Sequence, residues 1–273
     1  MIKSKIPRAA LINDFSGFGR CSLSVLLPVL SVLGVQCCCV PTAVFTNHTG
    51  FESFHKTDLT EDLPEFINEW KKLDLKFDAI VTGYLCSPKQ IEFALDFIKT
   101  FRVKDTFIIV DPVMGDNGKL YNAFSPETSA GIRRLTDHAD IITPNLTESF
   151  FLAEMSYNPN PCETELRAVV EKIHPRKCVI TGIDRGDFID NFLFDGSFFS
   201  VYSTEKKAIS RSGTGDLFAA VLSGKVLSGA PFKDAVKSAA DFVKLAAEFS
   251  EDYGEAVTDG AVFEPLLKKL LID

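Results

Sequence analysis

Short apolar runs alternate with longer amphipathic segments along most of the chain, and this alternation constrains the fold more than any other sequence feature. A short apolar run bounded by polar or glycine residues is typical of a strand that is buried on both faces of a sheet. Segments with an apolar residue every three or four positions are typical of helices that cover such a sheet. The alternation therefore predicts βαβ units, with a mostly parallel sheet between two layers of helices.

Six apolar runs are predicted to be strands, namely residues 9–12, 36–41, 77–83, 106–112, 139–144 and 177–182. Helices are predicted over residues 20–33, 58–73 and 88–101, then from about Gly215, from Phe232, and over 262–271. Asp195-Gly196 separates two aromatic-rich runs, which is typical of a β-hairpin, so the sheet is predicted to end in antiparallel strands. Because the sequence shows no repeat or linker, residues 1–273 are predicted to form a single α/β domain.

Composition limits the classes of partner. Hydrophobic residues make up 46% of the 273 residues and charged residues 24%, which suits a folded chain with a large core. The formal net charge is −8 and the pI is about 5.1, which argues against nucleic acid or an anionic membrane as the main partner. A phosphate ligand remains compatible with this charge, because backbone N–H groups bind phosphate without net positive charge.

The seven cysteines are an odd number, and three of them are consecutive, Cys37 to Cys39. A disulfide framework requires spaced pairs in a short secreted chain, and consecutive strand residues point to opposite faces and do not easily share a metal. The N-terminal residues lack the apolar core and cleavage site of a signal peptide, and no apolar run reaches the length of a membrane span. We therefore expect reduced thiols in a cytoplasmic protein.

The strongest local feature is Ser212-Gly213-Thr214-Gly215-Asp216, which is followed by an apolar run. A glycine-rich turn that leads into a helix presents free backbone N–H groups, and these groups form an anion site together with the helix dipole. A carboxylate in that first turn can accept the proton of a hydroxyl nucleophile during phosphoryl transfer. A plain helix N-cap with a favourable acidic residue explains the same five residues equally well.

Two other phosphate-binding motifs are absent from the sequence. The chain has no Gly-x-x-x-x-Gly-Lys-Ser/Thr segment, which excludes a P-loop NTPase. Gly17-Phe18-Gly19 lacks the third glycine of the dinucleotide-binding fingerprint, because that position is Ser22. This disfavours a dinucleotide-dependent oxidoreductase.

Polar residues follow most of the predicted strands, which is where ligands bind in a parallel sheet. Asp111, Asp116 and Glu148 supply the oxygen ligands that Mg²⁺ prefers, since this ion is usually held by one or two carboxylates together with phosphate and water. Each of them alone is also explained as a solvated or helix-capping carboxylate. His48 is predicted to be a structural hydrogen bonder, because no second histidine stands at a metal-binding spacing.

Several of these segments resemble motifs of the ribokinase superfamily. Residues 213–220 resemble the anion-hole motif of the superfamily. The segment Phe-Thr-Asn-His-Thr-Gly-Phe (45–51) and segments 82–84, 111–116 and 142–148 resemble signatures of its pyridoxal kinase branch, in the same order and over nearly the whole chain. The resemblance implies a ribokinase-like three-layer α/β/α fold with a mostly parallel central sheet and some antiparallel edge strands.

The resemblance also implies an activity, the ATP-dependent phosphorylation of the 5′-hydroxymethyl group of pyridoxal, pyridoxamine or pyridoxine. Asp216 is then the base that deprotonates this hydroxyl. The backbone N–H groups of Gly213, Thr214 and Gly215 are implied to hold the transferring phosphate. A homodimer is the usual assembly of this family and is expected here.

Four residues are implied to surround the substrate ring. Thr49 donates or accepts a hydrogen bond at the pyridine ring, Phe45 and Tyr84 pack against it, and Tyr121 belongs to a lid loop over it.

The start of the site departs from the pattern of many pyridoxal kinases. The first strand is followed by Asn13-Asp14-Phe15-Ser16-Gly17, which is more similar to the Asp-x-Ser-Gly start of hydroxymethylpyrimidine kinases. Asn13 or Asp14 is therefore expected to contact the ring, and the preferred vitamer is left open.

The resemblance assigns the cations and the nucleotide as well. Asp116 and Glu148 are implied to serve Mg²⁺, while Asp111 and Thr143 lie at the position of a monovalent cation, K⁺ or Na⁺, or of a second Mg²⁺. Three further residues are implied to approach the triphosphate of ATP: Asn145, Thr181 and Gly182.

Three alternatives to a pyridoxal kinase stay open. A hydroxymethylpyrimidine kinase of thiamine synthesis would use the same mechanism on a smaller ring. A non-catalytic regulator that binds a vitamer or a nucleotide would not need the base Asp216. A sugar kinase of the same superfamily would need more polar groups around its substrate than Phe45 and Tyr84 provide.

Overall fold

The computed structural model describes residues 6–121 and 124–271. The strands in this part of the chain are β1 (Arg8–Ser16), β2 (Gln36–Phe45), β3 (Lys56–Asp58), β4 (Ala79–Thr82), β5 (Phe107–Val110), β6 (Gly115–Asp116), β7 (Lys119–Leu120), β8 (Ile141–Ile142), β9 (Cys178–Asp184), β10 (Phe188–Phe194) and β11 (Phe199–Glu205). The helices are α1 (Leu23–Val32), α2 (Leu63–Lys72), α3 (Pro88–Phe101), α4 (Pro126–Thr136), α5 (Leu146–Leu152), α6 (Glu163–Ile173), α7 (Thr214–Leu227) and α8 (Phe232–Tyr253). Two 3₁₀ helices, Val257–Asp259 and Glu264–Leu271, follow α8.

Nine of the described strands form one sheet in the order β11-β10-β9-β8-β5-β4-β1-β2-β3. The pairs from β2 to β9 are parallel, whereas β3, β10 and β11 pair in the antiparallel direction at the two edges. The remaining strands, β6 and β7, form a separate two-stranded hairpin. The predicted mostly parallel sheet with antiparallel edge strands is confirmed.

Helices cover both faces of this sheet, as β1 illustrates. Ala9 and Leu11 face the layer of α1, α7 and α8, whereas Ala10 and Ile12 face the layer of α2 to α6, and all four side chains are fully buried. An apolar run without polar alternation is therefore what a central strand of this sheet requires. The predicted three-layer α/β/α architecture is confirmed. In the described residues, every helix is too short or too polar to cross a bilayer.

The predicted helix over residues 58–73 was wrong at its start. Residues Lys56–Asp58 form β3, which pairs with the end of β2, and the helix begins at Leu63 after Asp62, with Pro64 in its first turn. This position favours proline, because the N–H group that proline lacks would have no partner within the first turn of the helix. The predicted helix over residues 20–33 likewise begins only at Leu23.

Three helices were not predicted, α4, α5 and α6. The first of them carries a clear start signal, since Ser125 caps it by accepting a hydrogen bond from the Thr128 N–H group and Pro126 occupies its first turn. The C-terminal helix predicted over residues 262–271 is a 3₁₀ helix that starts at Glu264.

Candidate active site

The candidate site lies where the carboxyl ends of the parallel strands meet the beginning of α7. From β1 the chain continues to β2 on one side, and β4 then returns to pair with β1 on its other side. Such a reversal in strand order opens a crevice beyond the strand ends, which is where ligands bind in open α/β sheets. Asn13, in the carboxyl-terminal half of β1, and Tyr84, two residues after β4, lie at this crevice.

The beginning of α7 is open towards the crevice. Gly213 precedes the helix in a left-handed conformation with φ 78°, and a Cβ atom there would overlap the carbonyl oxygen of Arg20. Leu217 N–H bonds back to the Gly213 carbonyl at 2.9 Å, and within the described residues no side chain caps this helix end. The Thr214 hydroxyl turns back to the Arg211 carbonyl. The backbone N–H groups of the first turn therefore remain available to an anion.

Asp216 projects from the first turn of α7 and accepts a hydrogen bond from a residue of β1. The side-chain amide of Asn13 lies 3.4 Å from Oδ1 of Asp216. Burial and, less strongly, the charge of Asp14 raise the pKa of Asp216 to about 7, while the Ser22 backbone and the Asn13 amide oppose the rise. A carboxylate with a pKa near neutrality suits a general base.

Asn13 and Asp14 form the floor of the crevice beside Asp216. Oδ1 of Asn13 accepts hydrogen bonds from the N–H groups of Tyr84 at 2.8 Å and Asp14 at 2.9 Å. A side chain at Gly83 would overlap the Asn13 amide, which explains the glycine there. Oδ1 of Asp14 accepts a hydrogen bond of 2.6 Å from the Ser22 hydroxyl, and burial raises the pKa of Asp14.

A second group of polar side chains follows β5 and β8. Oδ1 of Asp111 accepts a hydrogen bond of 3.1 Å from the Thr143 hydroxyl. The Glu148 carboxylate accepts from the N–H groups of Met114 at 3.1 Å and Asn145 at 2.8 Å. Burial raises the pKa of both carboxyl groups, and the charge of Asp111 raises that of Glu148 further. This accumulation of acidic groups, with Glu148 buried and Asp111 half-buried, favours a nearby cation.

Asp111 also lies close to the beginning of α7, since a Cβ atom added at Gly215 would stand 3.9 Å from its Oδ2 atom. Asp116 stands apart from this buried group, because it is exposed on the β6–β7 hairpin and accepts hydrogen bonds from the N–H and side-chain amide of Asn117. Among the residues that the structure describes, no three His, Cys, Asp or Glu side chains converge into a metal site. A cation held here would need ligands from phosphate or water, as is usual for Mg²⁺.

An open cleft of about 400 Å³ starts at Thr214 and Gly215 and continues between β9, β10 and α8. Its far wall is apolar, and residues 204–210 border it on one side. The apolar wall consists of Ile189, Ile209, Phe218, Ala240, Val243 and Ala247.

Two of the three residues predicted to approach the triphosphate, Thr181 and Gly182, line this cleft. Asn145 lies beside them, because it forms an isolated parallel bridge with Thr181 and donates from its side chain to the Gly115 carbonyl at 2.8 Å. Lys206 also borders the cleft, where it forms an ion pair with Asp184.

Aromatic side chains border the crevice on the β2 and β4 side. Phe45 is 2% exposed, and its ring centroid lies 6.4 Å from that of Tyr84 and 5.7 Å from that of Phe54. The Tyr84 ring in turn contacts Phe124 at 5.9 Å. Edge-to-face contacts of this kind build a stiff apolar wall suited to a flat ring.

Thr49 lies in the exposed loop after β2, and its hydroxyl makes no hydrogen bond to the described residues. His48 anchors this loop, since its Nδ1 atom accepts from the Gly50 N–H group at 3.0 Å and its Nε2 atom lies 2.7 Å from the Thr258 carbonyl. The prediction that His48 is a structural hydrogen bonder is confirmed.

Tyr121 is 44% exposed and is anchored by a backbone hydrogen bond to the Met114 carbonyl. Burial and, less strongly, the charges of Glu148 and Asp116 raise the pKa of Tyr121. The loop in which Tyr121 is predicted to act as a lid continues into residues 122–123, which lie outside the described residues.

Two parts of the site were missed in the sequence. The apolar wall of the cleft comes from β10, α7, α8 and the loop before α7, and these residues have no pattern that separates them from ordinary core positions. The Ser22 hydroxyl donates a hydrogen bond to Asp14, and its only sequence signal is that it takes the place of the third glycine in an incomplete Gly-x-Gly-x-x-Gly pattern.

Two solved structures are similar over almost the whole chain. One is a provisionally assigned phosphomethylpyrimidine kinase from Bacteroides thetaiotaomicron, crystallised with pyridoxal, with a TM-score of 0.93, 37% identity, and coverage of 98% of this chain and 96% of that one. The other is pyridoxal kinase from Lactobacillus plantarum, with a TM-score of 0.90, 27% identity, and coverage of 98% and 97%. The predicted ribokinase-like fold and the resemblance to pyridoxal kinases are confirmed.

The similarity extends to a thiamine biosynthetic enzyme. The chloroplastic bifunctional enzyme TH1 of Arabidopsis thaliana is 31% identical over 258 residues, which are 91% of this chain. The chain spans only 48% of that enzyme's length. The family model described as phosphomethylpyrimidine kinase matches residues 27–260. On this match, the chain belongs to the phosphomethylpyrimidine kinase family, whose relatives include the pyridoxal kinases.

Proposed function

We propose that the protein transfers the γ-phosphoryl group of ATP to the 5′-hydroxymethyl group of pyridoxal, pyridoxamine or pyridoxine. The observation that carries this proposal is the placement of Asp216, a carboxylate with a raised pKa, in the same helix turn as a set of free N–H groups. Phosphoryl transfer needs a cradle for the phosphate and an acceptor for the hydroxyl proton, and the two stand side by side here.

In the proposed reaction, the substrate oxygen attacks the γ-phosphorus while Asp216 accepts the proton of the hydroxyl. The bond from the γ-phosphorus to the bridging oxygen breaks, and ADP leaves with the electron pair. The N–H groups of Gly213, Thr214 and Gly215 would hold the transferring phosphoryl group, where they stabilise the charge of the transition state. The cleft beyond Thr181 and Gly182 has an apolar wall that suits the adenine ring.

Mg²⁺ would neutralise charge on the phosphates of the nucleotide. Glu148, Asp111 and Asp116 fit this role in chemical type. Burial and, less strongly, neighbouring negative charge raise the pKa of Glu148 and Asp111, and a cation would compensate these charges. Thr143 orients Asp111 by its hydrogen bond, so both residues could also border a monovalent cation.

The aromatic wall formed by Phe45 and Tyr84 supports a B6 vitamer as the substrate, because such a wall suits a flat ring. This substrate is also supported by the pyridoxal in the crystals of the Bacteroides relative at 37% identity. We propose that Asn13 and Thr49 contact the ring, because Asn13 lies at the floor of the crevice and the Thr49 hydroxyl, in the loop after β2, has no hydrogen-bond partner among the described residues.

Hydroxymethylpyrimidine is the second candidate substrate. The description of the matching family and the thiamine biosynthetic relative at 31% identity both favour it. The same base and phosphate cradle would serve this substrate, since it also presents a hydroxymethyl group on a flat ring.

A coupled assay for ADP release separates these candidates. The protein is supplied with ATP and Mg²⁺ and with pyridoxal, pyridoxamine, pyridoxine or hydroxymethylpyrimidine in turn. We expect kcat/KM to be highest for one of the three B6 vitamers. Higher kcat/KM for hydroxymethylpyrimidine would assign the protein to thiamine synthesis, and no ADP release with any of the four would contradict a kinase of either kind.

A further inference from the structure

A C-terminal segment, residues 251–261, contacts the loop after β1, the loop after β2 and the phosphate turn (residues 212–215). It comprises the end of α8, the first 3₁₀ helix and the residues beside that helix. Ser250, which is fully buried, fixes both ends of the segment. Its carbonyl accepts from the Glu255 N–H group at 3.1 Å, and its hydroxyl accepts from the Val262 N–H group at 2.7 Å.

The loop after β2 is bound to this segment by the buried side chain of His48. Its Nδ1 atom accepts from the Gly50 N–H group at 3.0 Å, and its Nε2 atom lies 2.7 Å from the Thr258 carbonyl. Because a carbonyl only accepts, Nε2 carries the hydrogen atom. The ring fits closely, since a Cβ atom would lie 2.3 Å from it at Gly19 and 2.7 Å from it at Gly50. The ring therefore sets the position of Thr49, the residue between His48 and Gly50.

The phosphate turn is bound to the same segment from its N-terminal side. The Arg211 side chain is only 2% exposed, and it donates to the Glu255 carbonyl at 2.7 Å and pairs with the Glu251 carboxylate at 3.0 Å. The Ala261 N–H group donates to the Ser212 carbonyl at 3.2 Å. The residues proposed to hold the phosphoryl group follow directly in the chain.

The loop after β1 adds a further connection between the segment and the turn. Arg20 forms ion pairs with Glu255 at 2.8 Å and Glu264 at 2.7 Å, and its N–H group donates to the Asp259 carbonyl at 3.1 Å. The Arg20 carbonyl lies so close to Gly213 that a Cβ atom there would overlap it. The turn therefore lies against a loop that is itself held by the segment.

We propose that the C-terminal segment positions the loop of Thr49 and the phosphate turn relative to each other, with His48 and Arg211 as the positioning residues. This inference rests on the proposed function. The two parts meet at the site, since a Cβ atom added at Gly50 would stand 3.9 Å from the Ser212 hydroxyl. Each is bound to the same fixed segment, so the distance between the substrate ring and the transferring phosphoryl group is set through it. Phosphoryl transfer depends on this distance, because small displacements of reacting groups are costly in rate.

Two amide variants separate the ring contacts of His48. The glutamine amide can donate to the Thr258 carbonyl in place of Nε2, whereas the shorter asparagine can accept from the Gly50 N–H group in place of Nδ1 but does not reach Thr258. We expect His48→Asn to raise KM for pyridoxal about 3- to 10-fold, the effect of one lost hydrogen bond, with a smaller rise in His48→Gln and KM for ATP unchanged in both. The exposed His138→Asn is the matched control and should leave both constants unchanged. A larger effect in His48→Gln than in His48→Asn would overturn the role of the Thr258 contact.

Arg211→Lys tests the phosphate turn. Lysine keeps the charge but lacks the fork that binds two partners at once, so we expect kcat to fall about 10-fold while KM for pyridoxal stays unchanged. Glu251→Gln, at an exposed position, weakens the same ion pair without burying a new group, and kcat should fall about 2- to 5-fold. Arg134→Lys, in an exposed ion pair of α4, is the matched control and should retain the wild-type kcat. Wild-type kcat in both Arg211→Lys and Glu251→Gln would overturn the role of Arg211.

The division of effects, on KM for pyridoxal in one variant and on kcat in the other, is not explained by a loss of folded protein, which lowers kcat alone. Amide hydrogen exchange gives a second readout that needs no substrate. Exchange should become faster in residues 45–51 of His48→Asn and in residues 212–217 of Arg211→Lys, and wild-type exchange in both would overturn the inference. Absence of ADP release by the wild-type protein with every candidate substrate would instead overturn the proposed function, and the exchange rates would still decide whether the segment positions the two loops.

Discussion

The side-chain amide of Asn13 lies 3.4 Å from Oδ1 of Asp216, although the two residues are 203 positions apart in the sequence. The carbonyl oxygen of the same side chain accepts from the N–H groups of Tyr84 and Asp14. Asn13 therefore connects β1 and the residues after β4 to the first turn of α7. One buried side chain joins this crevice to the proposed base.

Replacing Asn13 by alanine is expected to destabilise the protein. The Tyr84 and Asp14 N–H groups would lose their acceptor in a buried place, which costs about 1–3 kcal/mol for each group left unpaired. Urea denaturation measures the change in the free energy of unfolding. Asn68→Ala, on the exposed face of α2, serves as the control and should change it by less than about 0.5 kcal/mol. Equal losses in the two variants would contradict the bridging role of Asn13.

The raised pKa of Asp216 predicts how its replacement changes stability with pH. The pKa of Asp216 is about 7 in the folded protein, whereas its ordinary value, taken for the unfolded chain, is 3.8. Between these two pH values, the folded state holds a proton that the unfolded chain has released. The stability linked to this group is therefore complete below about pH 4 and is lost as the pH rises towards about 7. Asparagine does not ionise and avoids this loss.

Asp216→Asn should accordingly raise the melting temperature at about pH 8, with a smaller rise at about pH 5. Differential scanning calorimetry of both proteins at the two pH values measures the difference. A stabilisation that does not grow with pH would contradict the raised pKa of Asp216.

Thr49→Val is expected to raise KM for pyridoxal about 3- to 10-fold, the effect of one lost hydrogen bond, and to leave KM for ATP unchanged. The fold should tolerate this change, because the Thr49 hydroxyl has no partner among the described residues. Steady-state kinetics with each substrate varied in turn measures both constants. Thr57→Val on the exposed strand β3 should change neither constant, and equal effects of Thr49→Val on the two constants would count against a ring contact.

Removal of divalent cations should abolish turnover, and added Mg²⁺ should restore it. In Glu148→Gln, the Mg²⁺ concentration for half-maximal activity should rise, because one of the buried negative charges that favour a cation is lost. Titration of activity with Mg²⁺ measures this shift, with the exposed Glu154→Gln as the control. Full activity in the presence of EDTA would rule out the role proposed for these carboxylates.

The central strands could be predicted from the sequence because burial on both faces leaves a simple pattern. The run that forms β5 (Phe107–Val110) is apolar throughout, and Asp111 follows it at the carboxyl end of the sheet. The hairpin at Asp195-Gly196 was equally predictable, and Phe194 pairs with Phe199 across it. In both cases the signal is local, so no knowledge of the partner strand is needed.

Other features depend on tertiary contacts and could not be predicted. β3 has only three residues and exists because the end of β2 offers an antiparallel partner. Ser22 has a positive φ of 55°, and nothing in its residue type indicates this conformation.

Asn145-x-x-Glu148 shows how one motif can serve two purposes. It was interpreted as part of a ligand site, and the structure adds that the two side chains form a capping box at the start of α5. A capping box is a local signal, so α5 could have been predicted from the same residues. The cap also fixes the Glu148 carboxylate at the position where we propose that it serves the cation.

The turnover number of Asp216→Asn with ATP and pyridoxal measures most directly whether this carboxylate acts as the base. We predict a fall in kcat of about 10²- to 10⁴-fold, the range for loss of a general base, with ATP affinity by titration calorimetry unchanged. Asp96→Asn, an exposed change of the same type on α3, should retain the wild-type kcat. Wild-type turnover in Asp216→Asn would contradict the proposed mechanism.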